Sequence, residues 1–307
     1  MSNLTPFHAE ERHVQTMTGQ VARADNSGRM IANTIMAGAW TFLEEQSMLV
    51  LGSWNGQRDV CASLMVGQPG FARTVDGSQV IIDTAASLVG LDDPLWENAK
   101  NNGRVSLLAI ELTTRRRLRI NGQVVALPNG ANERSRLEIK VEQAYPNCPK
   151  YIQRRVLRAG TLVPSTLAPQ LFTQLSDEHV QLISNADTFF VASVHSSAGT
   201  DVSHRGGKPG FVNVVSSRQL RIPDYVGNGM FNTLGNIHAS GIAGLLFIDF
   251  TGRRQLQIIG DARIDWASQT PSAQRYWSVD VRQVRESWLP EGLTWTYVDA
   301  SPFNPFL

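Results

Sequence analysis

The stretch "NNGRVSLLAIELTTRRRLRINGQV" (Asn101–Val124) has a second copy in "ASGIAGLLFIDFTGRRQLQIIGDA" (Ala239–Ala262). Leu107–Leu108 meets Leu245–Leu246, Glu111 meets Asp249, Arg115–Arg116 meets Arg253–Arg254, and Gly122 meets Gly260. Upstream, "QPGFARTVDGSQVIIDTAAS" (Gln68–Ser87) matches "KPGFVNVVSSRQLRIPDYVG" (Lys208–Gly227) around a shared Pro-Gly-Phe. The matches keep their order, and a slip of two residues separates the blocks. Chance similarity of strand-rich segments does not keep turns, charges and order together. The chain reads as a tandem duplication.

Each copy follows the same local grammar. "SMLVLGSW" and "TFFVASVH" are short apolar runs bounded by turn residues, as buried strands are. "VIIDT" and "LRIPD" follow polar turns as second arms of hairpins. "DDPLWENAKN" predicts a short helix with Asp93 as N-cap and Pro94 at the first helical position, and "GMFNTLGNIH" is its counterpart. Two longer strands close each unit: Val105–Leu112 with Arg117–Ala126, and Ala243–Phe250 with Gln255–Ile264. "SDEHVQLISNAD" is a helix opening the second copy, capped by Ser176 with Asp177 and Glu178 in its positive first turn. Between the copies, "YPNCPKYIQRRVLRAGTLVPSTLAP" predicts a basic helix and a proline-punctuated linker. The fold class is mainly β with short helices (α+β), built as small antiparallel barrels rather than a parallel doubly wound sheet.

The bulk numbers narrow the function. A chain of 307 residues suits about two domains, and 42% hydrophobic with 18% charged residues describes an ordinary globular core. The formal net charge of +1 provides no global field for nucleic acid or an anionic membrane. Cys61 and Cys148 are too few for a disulfide framework. The polar start "MSNLTPFHAEERH" has no signal-peptide core, and "IAGLLFIDF" is broken at Asp249 before it could span a bilayer. A soluble cytoplasmic protein is expected.

Most motifs have plain readings. In "VSHRGGKPGFVNV" (Val202–Val214), Gly206, Gly207 and Gly210 permit positive φ and close approach, while His204, Arg205 and Lys208 supply donors for phosphate. The same residues also describe a hairpin turn with solvated charges. Lys208 is followed by Pro209, so this is no Walker loop. "IPDYVGNGMFNTLGN" runs a strand through Asn228 into a helix start at about Gly229, where backbone amides can hold an anion. It lacks the third glycine of a dinucleotide fingerprint. "CPKYIQRR" places Lys150 and Arg154 on one helix face, as a phosphate site or a solvated basic face. In "RRRLRI", strand alternation puts Arg115, Arg117 and Arg119 on one face, with no aromatic platform for nucleic acid. There is no HExxH, CxxC or Gly-x-Ser-x-Gly, so no metal is expected. Helix capping explains Asp92–Asp93. No side chain is a self-sufficient catalyst, so an enzyme here would rely on a cofactor.

"DVSHRGGKPGFVNVVSSRQLRIPDYVGNGMFNTLGNIHASGIAGLLFIDFTGRRQLQIIGDARI" (Asp201–Ile264) resembles the pyridoxamine 5'-phosphate oxidase-like, FMN-binding split-barrel family. Its Arg-Gly-Gly, Pro-Asp-Tyr, Gly-Asn and Leu-Gly-Asn elements occur in order, and "CPKYIQRR" resembles a segment that follows the barrel in that group. The resemblance implies two tandem split β-barrels forming a pseudo-dimer with FMN in the groove between them. It divides the chain into an N-terminal helical segment (1–46), a first, diverged barrel with its connecting basic helix (47–160), and a second, cofactor-binding barrel (161–307). It places Ser203, His204, Arg205 and Gly206 along the flavin strand, Tyr225 and Asn228 on the next element, and Lys150 and Arg154 reaching in from the connecting helix.

The implied function is an FMN-dependent oxidoreductase acting on a small molecule, with a flavin- or haem-binding protein without turnover as the alternative. A homodimer is a further expectation. Pyridoxamine phosphate oxidation is not expected. Gly227-Asn228-Gly229 stands where that oxidase has Ser-Arg-Lys, and "YWSVDVRQVRESWLPEGLTW" lacks its substrate motif. The first copy's "DVCASLMVGQPGF" lacks the histidine, arginine and paired glycines, so its own site is expected to be lost.

Overall fold

The computed structural model describes residues 5–90, 92–128, 135–267, 270 and 273–305. Helices α1 (Ala9–Met17) and α2 (Val21–Gly28), a 3-10 turn and α3 (Trp40–Glu44) precede the first strand. The first unit runs β1 (Met48–Trp54), β2 (Val60–Gly67), β3 (Ala72–Arg73), β4 (Gln79–Asp83), β5 (Ser87–Leu88) and α4 (Pro94–Asn102). It closes with β6 (Arg104–Glu111), β7 (Arg116–Ala126) and β8 (Arg136–Pro146). After β9 (Arg154–Val163) and β10 (Gln170–Phe172), the second unit begins with α5 (Asp177–Asn185), β11 (Thr188–His195) and β12 (Gly199–Gly206). It continues through β13 (Asn213–Ser216), β14 (Gln219–Asp224), α6 (Asn232–Ser240), β15 (Ile242–Ile248), β16 (Arg254–Asp265) and β17 (Arg275–Trp288). The last strand is β18 (Glu291–Asp299).

The duplication is written in the sheets. Apart from the short β5 beside β2 and β10 beside β17, the first orders its strands β2-β1-β6-β7-β8-β4-β3, the second β12-β11-β15-β16-β17-β14-β13. Position for position these are the same antiparallel topology. Paired residues do the same local work. Gly103 (φ +74) and Gly241 (φ +67) end α4 and α6 in the left-handed conformation that lets the next strand start. Arg115 (φ +58) and Arg253 (φ +57) occupy the same left-handed position in the turns after β6 and β15. Gly122 and Gly260 sit beside equivalent register shifts, and a side chain at either would run into the neighbouring strand's carbonyl. Asp93 caps α4 through the Leu95 amide, and Ser176 caps α5, as the sequence predicts.

Strands in the middle of the molecule are buried on both faces. Leu49 and Leu51 point into the first barrel's core, while Met48 and Val50 join a second apolar layer. In β11, Phe189 and Val191 fill the second barrel, and Phe190 and Ala192 face that same layer. The shared layer glues the two split barrels into a pseudo-dimer. β9 and β18 pair with each other over it, with Leu293 and Trp295 tucked beneath. No helix among the described residues is long and apolar enough to cross a membrane.

Two expectations are corrected. Cys148–Arg155 is not a helix: Tyr151 turns the chain at φ +66, and Arg154 already belongs to β9. That strand finds its hydrogen bonds in β18, more than a hundred residues downstream, which settles it as extended. Lys150 and Arg154 therefore share no helix face. The helix expected near Gly229 starts at Asn232, after Phe231 adopts a left-handed conformation (φ +60).

Candidate functional site

One groove gathers most of the residues singled out by sequence. Ser203, His204, Arg205 and Gly206 line it from β12, Tyr225 and Asn228 from the segment after β14, and Lys150 from the connecting turn. Arg154 stands outside, beside Asp299 at 3.5 Å. Lys208 lies in the turn beyond the lining. The groove measures about 110 Å³.

The first barrel supplies what the sequence reading missed. Strand alternation in β7 aims Arg117 and Arg119 out of their own barrel and into the second barrel's groove. Arg119 donates to the Tyr145 hydroxyl at 3.0 Å, to Asn232 Oδ1 at 3.1 Å and to Ser203 Oγ, and lies 3.5 Å from Asp201. Thr233 Oγ1 also reaches Ser203 Oγ, at 3.2 Å. Arg117 donates to the Cys148 carbonyl and points at the His204 carbonyl from 3.5 Å. Arg205 and Arg275 share Asp224, at 3.3 and 2.8 Å. The signal was present: the matching positions in the second copy are Gln255 and Gln257, so only one strand of the pair carries these cations.

The groove holds more positive charge than its acids offset. Burial, and then the neighbouring Arg119, pushes Arg117 down to about 9. A guanidinium keeps its proton in practice, so that depression measures how poorly its charge is compensated. Burial, followed by Arg117 and Arg205, holds His204 well below the ordinary imidazole range, so the ring stays neutral. Both of its ring nitrogens are buried without a partner, as are Arg119 Nε, Arg205 Nε and Asn147 Nδ2. Buried donors in that number, beside unbalanced guanidiniums, suit an anion with several acceptor oxygens. The uncapped start of α6 opens at the same place.

The glycines have a different use from the one expected. Gly210 alone of the three takes positive φ (+86). A side chain at Gly206 would collide with the Tyr151 carbonyl, and one at Gly207 would meet the Phe211 ring at 2.5 Å. They let the connecting turn and the Phe211 ring press against β12. Tyr151 is then held 5.2 Å from Tyr225, ring centre to ring centre, and its hydroxyl donates to the Val226 carbonyl at 3.0 Å.

The equivalent place on the first barrel is also open. The groove's four strand-borne basic residues have no counterparts there, because Leu64 and Met65 replace His204 and Arg205, and Gln255 and Gln257 replace Arg117 and Arg119, while Arg285 and Lys100 remain on the lining. The space is not gone. A cavity of about 890 Å³ opens there, walled by Leu64, Val66 and Leu88 from the first barrel and Trp288 and Leu289 from the second.

Among the described residues, one trio has metal-ligand geometry: His8, Glu10 and His195. His195 Nδ1 accepts from the Ser197 and Ala198 amides, which leaves its proton on Nε2 to be donated to Glu10 at 3.0 Å. Hydrogen bonding already accounts for the trio.

No family model matches the chain, and no curated protein does. Comparison with solved structures finds likenesses to parts of it. HupZ of Group A Streptococcus is 15% identical with a TM-score of 0.31, over 40% of this chain and 98% of that one. A putative pyridoxamine 5'-phosphate oxidase from Lactobacillus delbrueckii is 15% identical with a TM-score of 0.31, over 37% and 94%. A protein of Clostridium acetobutylicum related to general stress protein 26, of the pyridoxinephosphate oxidase family, is 10% identical with a TM-score of 0.26, over 39% and 92%. The second and third of these carry pyridoxamine or pyridoxine phosphate oxidase in their names. Each likeness spans about two fifths of this chain, and the barrel assignment rests on the matched strand orders instead.

Proposed function

We propose that the chain is an FMN-binding oxidoreductase of the split-barrel type, with one phosphate-holding groove at the junction of its two barrels. One observation carries this reading: guanidiniums from both barrels, Arg117 and Arg119 with Arg205, converge with unpartnered buried donors on one groove. Lys150 and the amides around Asn228 complete a donor set suited to a phosphate ester. A groove of about 110 Å³ takes the phosphate end of such a cofactor, and the tricyclic ring would lie at its mouth. Tyr151 and Tyr225 give the mouth an aromatic wall. FMN, when bound, supplies the redox chemistry that no side chain here provides. The chain's own residues bind the anion, orient it through Ser203 and Asn228, and keep a neutral imidazole beside it. Arg154 has no part in this set.

A haem is served less well. His204 offers a neutral imidazole, but the groove around it is narrow and cationic, with no slot for a macrocycle. The same site without turnover is the second reading, favoured because the groove's carboxylate, Asp224, is engaged by Arg205 and Arg275 and its imidazole, His204, is buried.

The test compares FMN with riboflavin, which lacks the phosphate, by flavin fluorescence and the visible spectrum of the purified protein. FMN should bind at least about tenfold tighter, about 1.4 kcal/mol, and Arg205→Ala should erase most of the difference. Equal affinity for the two, or no flavin binding at all, overturns the reading. Oxidation of NAD(P)H by the loaded protein separates turnover from binding alone.

A further inference from the structure

From the cavity on the first barrel we infer a second, chemically distinct binding site, for a flat and largely apolar organic molecule that carries no phosphate. This stands apart from the flavin reading, since it uses other residues and another ligand class.

Three observations point to it. The volume, about 890 Å³, lies in the range of small-molecule sites, whereas the cationic groove falls below it. The walls are apolar and aromatic, with Leu64, Leu88, Trp96 and Trp288 among them. Three polar atoms on the lining are buried without a partner: Ser87 Oγ, Thr84 Oγ1 and Gln255 Oε1. Ser87 is 6% exposed and Gln255 9%, so solvent does not satisfy them. A cavity with apolar walls and a few unpaired neutral hydrogen-bonding atoms is the description of a specific small-molecule pocket.

The charge pattern says what is refused. The one buried cation on the wall, Arg285, is already engaged by Asp92 at 2.9 Å and by Gln257 Oε1 at 3.0 Å. Asp93 lies behind it, accepting from Ser63 Oγ at 2.5 Å and Gln257 Nε2 at 3.1 Å. A phosphate dianion entering here would meet two carboxylates and no free guanidinium, with the exposed Lys100 ammonium as the remaining cation on the lining. A neutral or singly charged ring system meets none of that penalty, and its carbonyl or hydroxyl groups can pair with Ser87, Thr84 and Gln255. Duplication has thus left two related sites with opposite preferences, one for a phosphate and one for an apolar ring.

Anilinonaphthalene sulfonate, a flat apolar probe with a single charge, tests this by its fluorescence on the full-length folded protein. Saturable binding of one probe per chain is expected. Leu167→Trp and Val89→Trp, which push an indole into the cavity, should each weaken it at least about tenfold, with the circular dichroism spectrum unchanged. Leu167 is 57% exposed, so its replacement spares the fold. Arg205→Ala and saturating FMN should leave the probe in place. No saturable binding, binding indifferent to both tryptophans, or competitive displacement by FMN overturns the proposal. The flavin reading is scored separately, by the FMN affinity of Arg205→Ala.

Discussion

Arg117 and Arg119 are side chains of one barrel that serve the groove of the other. Replacing both by glutamine, the residue type at their duplicated positions, should weaken FMN binding about tenfold or more while leaving riboflavin binding unchanged; fluorescence titration checks it. Two buried groups set the response to pH with opposite signs. His204 is depressed by burial, so the folded protein binds fewer protons than the unfolded chain below the imidazole's ordinary 6.5. Its contribution to stability is full above that value and is lost as pH falls towards the folded one. Glu11 is raised to about 8, by burial first and Asp201 second. Its contribution is full below the unfolded value of 4.5 and is lost as pH rises through about 8. Urea midpoints should therefore fall through Glu11 as pH rises from about 4.5 to about 8, while His204 opposes that trend below 6.5. Glu11→Gln should flatten the fall towards pH 8 and leave the His204 response.

At the scale of elements, the duplicated strands, both capped helices and the β12 site strand were legible because their signals are local. Asp93-Pro94 and Ser176 announce helix starts, and Pro-Gly-Phe marks the same turn twice. Arg154–Val163 was not legible, because the strand that fixes its conformation is Glu291–Asp299, and nothing in "YIQRRVLRAGTLV" announces a distant partner. The role of Gly206 was hidden for the same reason: it answers to the Tyr151 carbonyl from another part of the chain. Gly206→Ala should destabilise by about 1–3 kcal/mol through that collision. Gly210→Ala, which meets nothing within 4 Å, should cost only its positive φ, on the order of 1 kcal/mol. Thermal melts of the two variants, side by side, measure the difference.

For the whole molecule, fusing two barrels into one chain changes what selection can do. In a dimer of identical subunits, every residue appears in both grooves. Here Arg119 and Gln257 occupy equivalent positions and differ freely, which is how one groove keeps guanidiniums while its twin becomes an apolar cavity. The layer between the barrels must then hold without help from symmetry. Trp295, 8% exposed beneath the β9–β18 pair, is one of its largest contributors. Trp295→Ala should cost about 3–5 kcal/mol, read as a lower melting temperature. Sedimentation against the 33.8 kDa chain mass checks the expected homodimer.

The segment ahead of the first barrel does more than lead into it. α1 crosses α6 so closely that a side chain at Gly235 would strike Glu11, and Ser27 Oγ donates to the Asn228 carbonyl at 2.9 Å. The lip of the cationic groove is therefore buckled down by residues some two hundred positions away. Trimming the first thirty or so residues would leave every barrel strand in the chain, take Val14 out of the second barrel's core and unfasten that lip.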